Sequence, residues 1–124
     1  MLGKRKLLAA AFVWGWAVLS PTPGIGDDGF IAGITDLPLM PGLREIPEAT
    51  LIFDKPDGRL VKATAEGAAE ATALWQFYEA TLPQLGWRRR GRGKFYRDGE
   101  ILRIHVEKND SKLTVRFAIA PGSG

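Results

Sequence analysis

The stretch "AAEATALWQFYEATLPQLGWRRRGRGKFYRDGEILRIHVEKNDSKLTVRFAIAP", residues 68–121, changes period partway along and so decides the fold. Leu74, Phe77, Tyr78, Thr81, Leu82 and Leu85 recur at helical spacing, which predicts one amphipathic helix. Pro83 falls in its last turn, where a missing N–H tightens or weakens the ending, and Gly86 is the expected left-handed stop. From Trp87 onward apolar residues alternate with polar ones, the period of strands with one buried face.

Asp98-Gly99 is a strong signal for a two-residue hairpin, and Asn109-Asp110 a weaker one. Three antiparallel strands follow from Trp87 to Pro121, and the turns fix their partners. Around the first, Arg97 meets Glu100, Tyr96 meets Ile101, Phe95 meets Leu102, Lys94 meets Arg103 and Arg92 meets His105. Around the second, His105 meets Thr114, Ile104 meets Val115 and Arg103 meets Arg116.

Upstream, "ATLIFDKPDGRLVKATAEG" reads as another hairpin. A three-residue loop Pro56-Asp57-Gly58 would pair Phe53 with Val61 and Leu51 with Ala63, leaving Lys62 and Thr64 on the outer side. The expected fold is α+β, an antiparallel sheet of about five strands in the order β-β-α-β-β-β with one helix across one face.

Residues 27–49 contain Pro38, Pro41 and Pro47 among Leu37, Leu39, Met40 and Leu43, with no sustained period. They read as an extended proline-rich strap ahead of a single α+β domain at 50–121. Its apolar side chains are expected to pack on that domain, the alternative being a partner-binding segment at 29–43.

The chain opens with Lys4, Arg5 and Lys6 before an apolar run, Leu7 to Ser20. A run of that length makes roughly 21 Å of helix against a hydrocarbon core of ~30 Å, so residues 1–26 read as a signal peptide, and a membrane role is expected only if the leader stays uncleaved. Export to the periplasm is the expected location. Of the 17 Lys+Arg in the chain, three belong to that leader, so the remaining bases equal the 14 Asp+Glu. The neutral remainder is polarised, with ten bases and four acids at residues 87–124 and eight acids against four bases at 27–66.

The chain has no cysteine, which excludes disulfides and a lipidated cysteine, and its one histidine, His105, excludes a His/Cys metal cluster. No cofactor is implied. Beyond the leader the only serines are Ser111, in a turn, and Ser123, in the tail, and the carboxylates form no evident acid/base pair, so no catalytic residue is assigned and a non-enzymatic role is expected. "GIGDDG" at residues 24–29 matches G-x-G-x-x-G but follows no strand and opens no helix, which removes its meaning.

The basic residues interleaved with Trp87, Phe95 and Tyr96 have the composition of a nucleic-acid surface. Export and neutrality argue against that partner. The predicted register instead gathers Lys94, Arg103 and Arg116 into one row on the open face, with Arg92 and His105 in the next row and Tyr96 alongside. Guanidinium forks and an ammonium so placed would receive a carboxylate, phosphate or sulfate. The expected partner is an anionic ligand or a protein of the envelope, with stacking of the open faces into a homodimer as an alternative.

"FYEATLPQLGW" carries the pattern F-Y-x-x-x-L-P-x-x-G-W and is followed by paired strands. In this the chain resembles a group of small exported bacterial proteins of unknown function, over about half its length. The resemblance implies the same α+β fold and compartment. It marks Phe77, Leu82, Pro83, Gly86 and Trp87 as structural, with Phe77 and Leu82 seating the helix, and assigns no catalytic residue.

Overall fold

A computed structural model describes residues 29–31, 34 and 36–123; the segment expected to be a leader and most of the "GIGDDG" match lie outside the described residues. The strands are β1 (Arg44–Glu45), β2 (Leu51–Lys55), β3 (Gly58–Gly67), β4 (Arg88–Gly91), β5 (Lys94–Arg97), β6 (Glu100–Asn109) and β7 (Lys112–Pro121), and the single α-helix, α1 (Ala71–Thr81), lies between β3 and β4. All pair antiparallel in the order β1-β3-β7-β6-β5-β4, with β2 also on β3. The class is α+β as expected, but seven strands replace five.

The extra strands have separate origins. Arg44 and Glu45, inside the expected strap, pair with Glu66 and Ala65 of β3. The single strand expected after Trp87 is two strands, because the chain reverses at Arg92-Gly93 and sets Gly91 opposite Lys94. Gly93 has φ +70, and a Cβ there would sit 2.7 Å from the Ile104 carbonyl oxygen and 3.1 Å from Trp75. Only a glycine makes that turn against β6.

α1 lays Leu74 and Tyr78 on the sheet, and Leu82, just past its end, continues the stripe, each fully buried, in one core with Val61, Ala63, Ala65, Leu102, Val115, Phe117 and Ile119. Tyr78 is the fully buried anchor, and Phe77, half-buried, packs against the core beside it and meets the Tyr78 ring edge-on at 4.9 Å. Leu82–Leu85, holding Pro83, tightens into a 3-10 turn that ends at Gly86 with φ 93, so the proline and the glycine act as expected. Trp87 then enters the core, 1% exposed.

The strap is folded back and not extended. Phe30 bridges Pro38, Ile31 N–H donates to the Leu37 carbonyl at 2.9 Å, and Leu39 N–H donates to that of Gly29 at 2.8 Å. Ile31, Ile34, Leu37, Met40 and Leu43 are buried in the main core, which leaves Phe30, 40% exposed, as the strap's outward apolar residue among those described.

Two polar fastenings hold it there. The buried Tyr78 hydroxyl donates to the Pro38 carbonyl at 2.8 Å and accepts from Met40 N–H at 3.2 Å. Arg97 grips both carboxylate oxygens of Asp36 at 2.8 and 3.1 Å, donates to the Leu85 carbonyl at 2.8 Å, and lies 4.3 Å from the Trp87 ring centroid. The guanidinium holds the Asp36 carboxyl below its ordinary range, and the Asp36 carboxylate raises Arg97 in turn. Arg97 still pairs with Glu100 across the turn as expected, but its side chain serves the strap.

Candidate functional site

Where the open face is built depends on register. The Asp98-Gly99 hairpin forms as read, with φ 51 and 80 at its two residues, and it places Lys94 directly opposite Arg103. The next turn is Asp110-Ser111 in place of Asn109-Asp110, so Asn109 pairs with Lys112. A slip of two residues keeps every side chain on its face and changes every neighbour. Arg103 therefore faces Ala118, and Arg116 faces His105.

The upstream hairpin also differs. Lys55 pairs with Gly58 around a two-residue turn, Pro56-Asp57, so Phe53 meets Leu60 and Leu51 meets Lys62. Gly58 is a strand residue whose missing side chain leaves room for Pro121, the Cγ of which lies 2.8 Å from the position a Cβ would take. The glycine thus serves both the exit of the turn, where its φ is +139, and the close approach of Pro121.

β3 runs beside β7 with Lys62 opposite Ala118. The open face thus carries a row Lys94–Arg103–Ala118–Lys62, with Ala118 in the position expected for Arg116 and Lys62 one strand beyond it. None of these three cations makes a hydrogen bond or ion pair among the described residues. A shallow depression of about 290 Å³ lies at the Lys94–Arg103–Ala118 end of the row, bounded also by Pro121 and Gly122, with Lys62 outside its lining and no carboxylate in it among the described residues. The methyl of Ala118 keeps the floor low between Arg103 and Lys62, where a fourth long side chain would fill the space.

The other expected members of the site are engaged with other groups. Arg116 ion-pairs with Glu107 at 3.2 Å, and His105 Nε2 lies 3.7 Å from the same carboxylate. Arg116, the larger influence, and His105 hold the Glu107 carboxyl below its ordinary range. Arg92, expected opposite His105, sits at the β4–β5 turn with its guanidinium 5.6 Å from the Trp75 ring centroid, on the helix side of the sheet. Tyr96 is on the open face one row from Lys94, opposite Arg88 and Ile101, with Arg90 at 5.4 Å from its ring centroid. Its hydroxyl accepts from Gly99 N–H at 3.3 Å.

The structure therefore brings Lys94, Arg103 and Tyr96 together, adds Lys62, leaves Arg116 and His105 in the adjoining row of the same face engaged with Glu107, and places Arg92 on the helix side. The signal for Lys62 was its outward alternation in "RLVKATA"; what the sequence lacks is the β3–β7 pairing that sets it beside Ala118. Groups of three or more His, Cys, Asp or Glu that would hold a metal are absent among the described residues, as is any helix long and apolar enough to cross a membrane. No protein-family model, curated protein or solved structure matches the chain.

Proposed function

We propose that this chain is a non-enzymatic, exported binding module of the bacterial envelope that takes a phosphate- or carboxylate-bearing component on its open sheet face. The observation carrying the proposal is the cross-strand row of Lys62, Arg103 and Lys94, three cations with no carboxylate partner among the described residues, of which Lys94 and Arg103 line a shallow floor and Lys62 flanks it across Ala118. Lys94 and Arg103 are like charges directly opposed across strands, which costs a few tenths of a kcal/mol or more. An anion in the row removes that cost and gains charge-assisted hydrogen bonds from the guanidinium.

Arg103 is the orienting group, because its planar fork matches two oxygens of a phosphate or carboxylate. Lys94 and Lys62 supply charge from either side, and Tyr96 and Ile101 give an apolar border for the non-ionic part of the ligand. The leader supports export. Equilibrium binding of soluble short-chain polyphosphate to the full chain tests the proposal: binding at low salt that is lost as added salt screens the row supports it, and absence of binding at low salt contradicts it.

A further inference from the structure

The two edges of the sheet differ in kind. β4 presents Arg88, Arg89 and Arg90, all exposed, and its register shifts between Arg89 and Gly91. Charge and bulging are the means by which edges refuse further strands. The opposite edge is β2, exposed along its whole length and paired with β3 alone. Leu51, Ile52 and Phe53 expose 52%, 53% and 53% of their surfaces there. Three consecutive apolar residues make both faces of that edge apolar, and its outward N–H and C=O groups meet no other strand among the described residues. Such an edge is a template for another strand.

We infer that β2 pairs antiparallel with β2 of a second copy, about a two-fold axis that passes beside Ile52. Residues directly opposite in an antiparallel pair share a face, so a two-fold perpendicular to the sheet centres on a residue and not between two. Centred on Ile52, the pair sets Ile52 against Ile52, Leu51 against Phe53 and Thr50 against Asp54. Lys55 then reaches the turn that carries Glu48 of the second copy, and neither residue has an ion-pair or hydrogen-bond partner within its own chain among the described residues. Centring on Phe53 sets Ile52 against Asp54, and centring on Asp54 sets two carboxylates face to face.

The strand is thus self-complementary in one register, and charge selects it. Arginines on β4 oppose a β4–β4 pairing, and β2 on β4 would press guanidinium groups against Leu51 and Phe53. Association closes at two copies and does not run on into a filament.

The chain has no cysteine, so Ile52→Cys introduces a single thiol. Opposed Cα atoms in an antiparallel pair lie ~4.5–5.5 Å apart, within the span of a disulfide. Mild oxidation of the full chain is expected to convert Ile52→Cys to a covalent dimer and to leave Asp57→Cys, in the neighbouring turn, as monomer. By light scattering the wild type is a dimer, Ile52→Lys and Ile52→Glu are each monomers, and an equimolar mixture of the two is a dimer again. A wild type that is monomeric up to its solubility limit, charged variants that remain dimeric, or a mixture that stays monomeric would overturn the inference. Should a charged variant lose its circular-dichroism spectrum, the cysteine pair decides: equal cross-linking of Ile52→Cys and Asp57→Cys overturns it.

Discussion

The Tyr78 hydroxyl, on the buried face of α1, donates its hydrogen bond to the carbonyl oxygen of Pro38, forty residues away, at 2.8 Å. With the bond it accepts from Met40 N–H, this one atom closes two backbone groups of the strap that the fold has taken from water. Burial pushes the phenol well above its ordinary 10.0, so it remains a donor wherever the protein is folded.

Tyr78→Phe keeps the ring and strands both strap groups. It should cost about 2 kcal/mol, the penalty for buried polar groups left unpaired, read as a lowered midpoint in urea. The wild type should also lose stability as pH rises beyond 10, because the unfolded phenol releases its proton there while the folded one keeps it. Tyr78→Phe should lack that alkaline component.

Asp36→Asn should lower stability by about 1 kcal/mol at neutral pH, a modest figure because the carboxylate is partly exposed. A depressed carboxylate contributes stability that is present above its ordinary pKa and lost as pH falls through the depressed value. The wild type and Asp36→Asn should therefore converge below pH 3.8, a difference measured by denaturant titration across the acid range.

Leu82→Ala should cost about 3 kcal/mol, as expected for a buried leucine truncated in a packed core. Phe77→Ala should cost less than half of that, since its ring is half-buried and leans on Tyr78. Thermal unfolding of the pair tests this ranking within the F-Y-x-x-x-L-P motif.

Gly93→Ala forces a Cβ toward the Ile104 carbonyl at positive φ, and should cost roughly 1–3 kcal/mol as a strained position. Hydrogen exchange should show the loss at the β4–β5 turn first.

Period and turn chemistry made much of this legible. Helical spacing from Leu74 to Leu82, the stop at Gly86 and the Asp98-Gly99 register were all readable, because each has one dominant physical solution. The second turn was not, since Asn109-Asp110 and Asp110-Ser111 both suit a two-residue loop and a slip of two leaves the burial pattern of β6 and β7 unchanged. Face assignments survived that error, while the neighbours of Arg103 and Arg116 did not. At Pro56-Asp57-Gly58 the glycine suggests a longer loop; it takes a positive φ of +139 just past the two-residue turn and also makes room for Pro121, 63 residues downstream. The break at Gly91-Arg92-Gly93 carries no apolar residue to mark it. Burial of the strap depends on Tyr78 and Arg97, contacts without any local signature.

The site rests on Ala118, and not Arg116, standing opposite Arg103 with Lys62 one strand beyond, and titration with polyphosphate at low salt tests it most directly. Gln replacements at Lys62, Lys94 and Arg103 together should reduce affinity at least tenfold, about 1.4 kcal/mol, while Gln at Arg116 and Arg92 should leave it within a factor of two. Equal losses from the two sets, or a larger loss from Arg116 and Arg92, would contradict a site built on the row Lys94–Arg103–Ala118–Lys62.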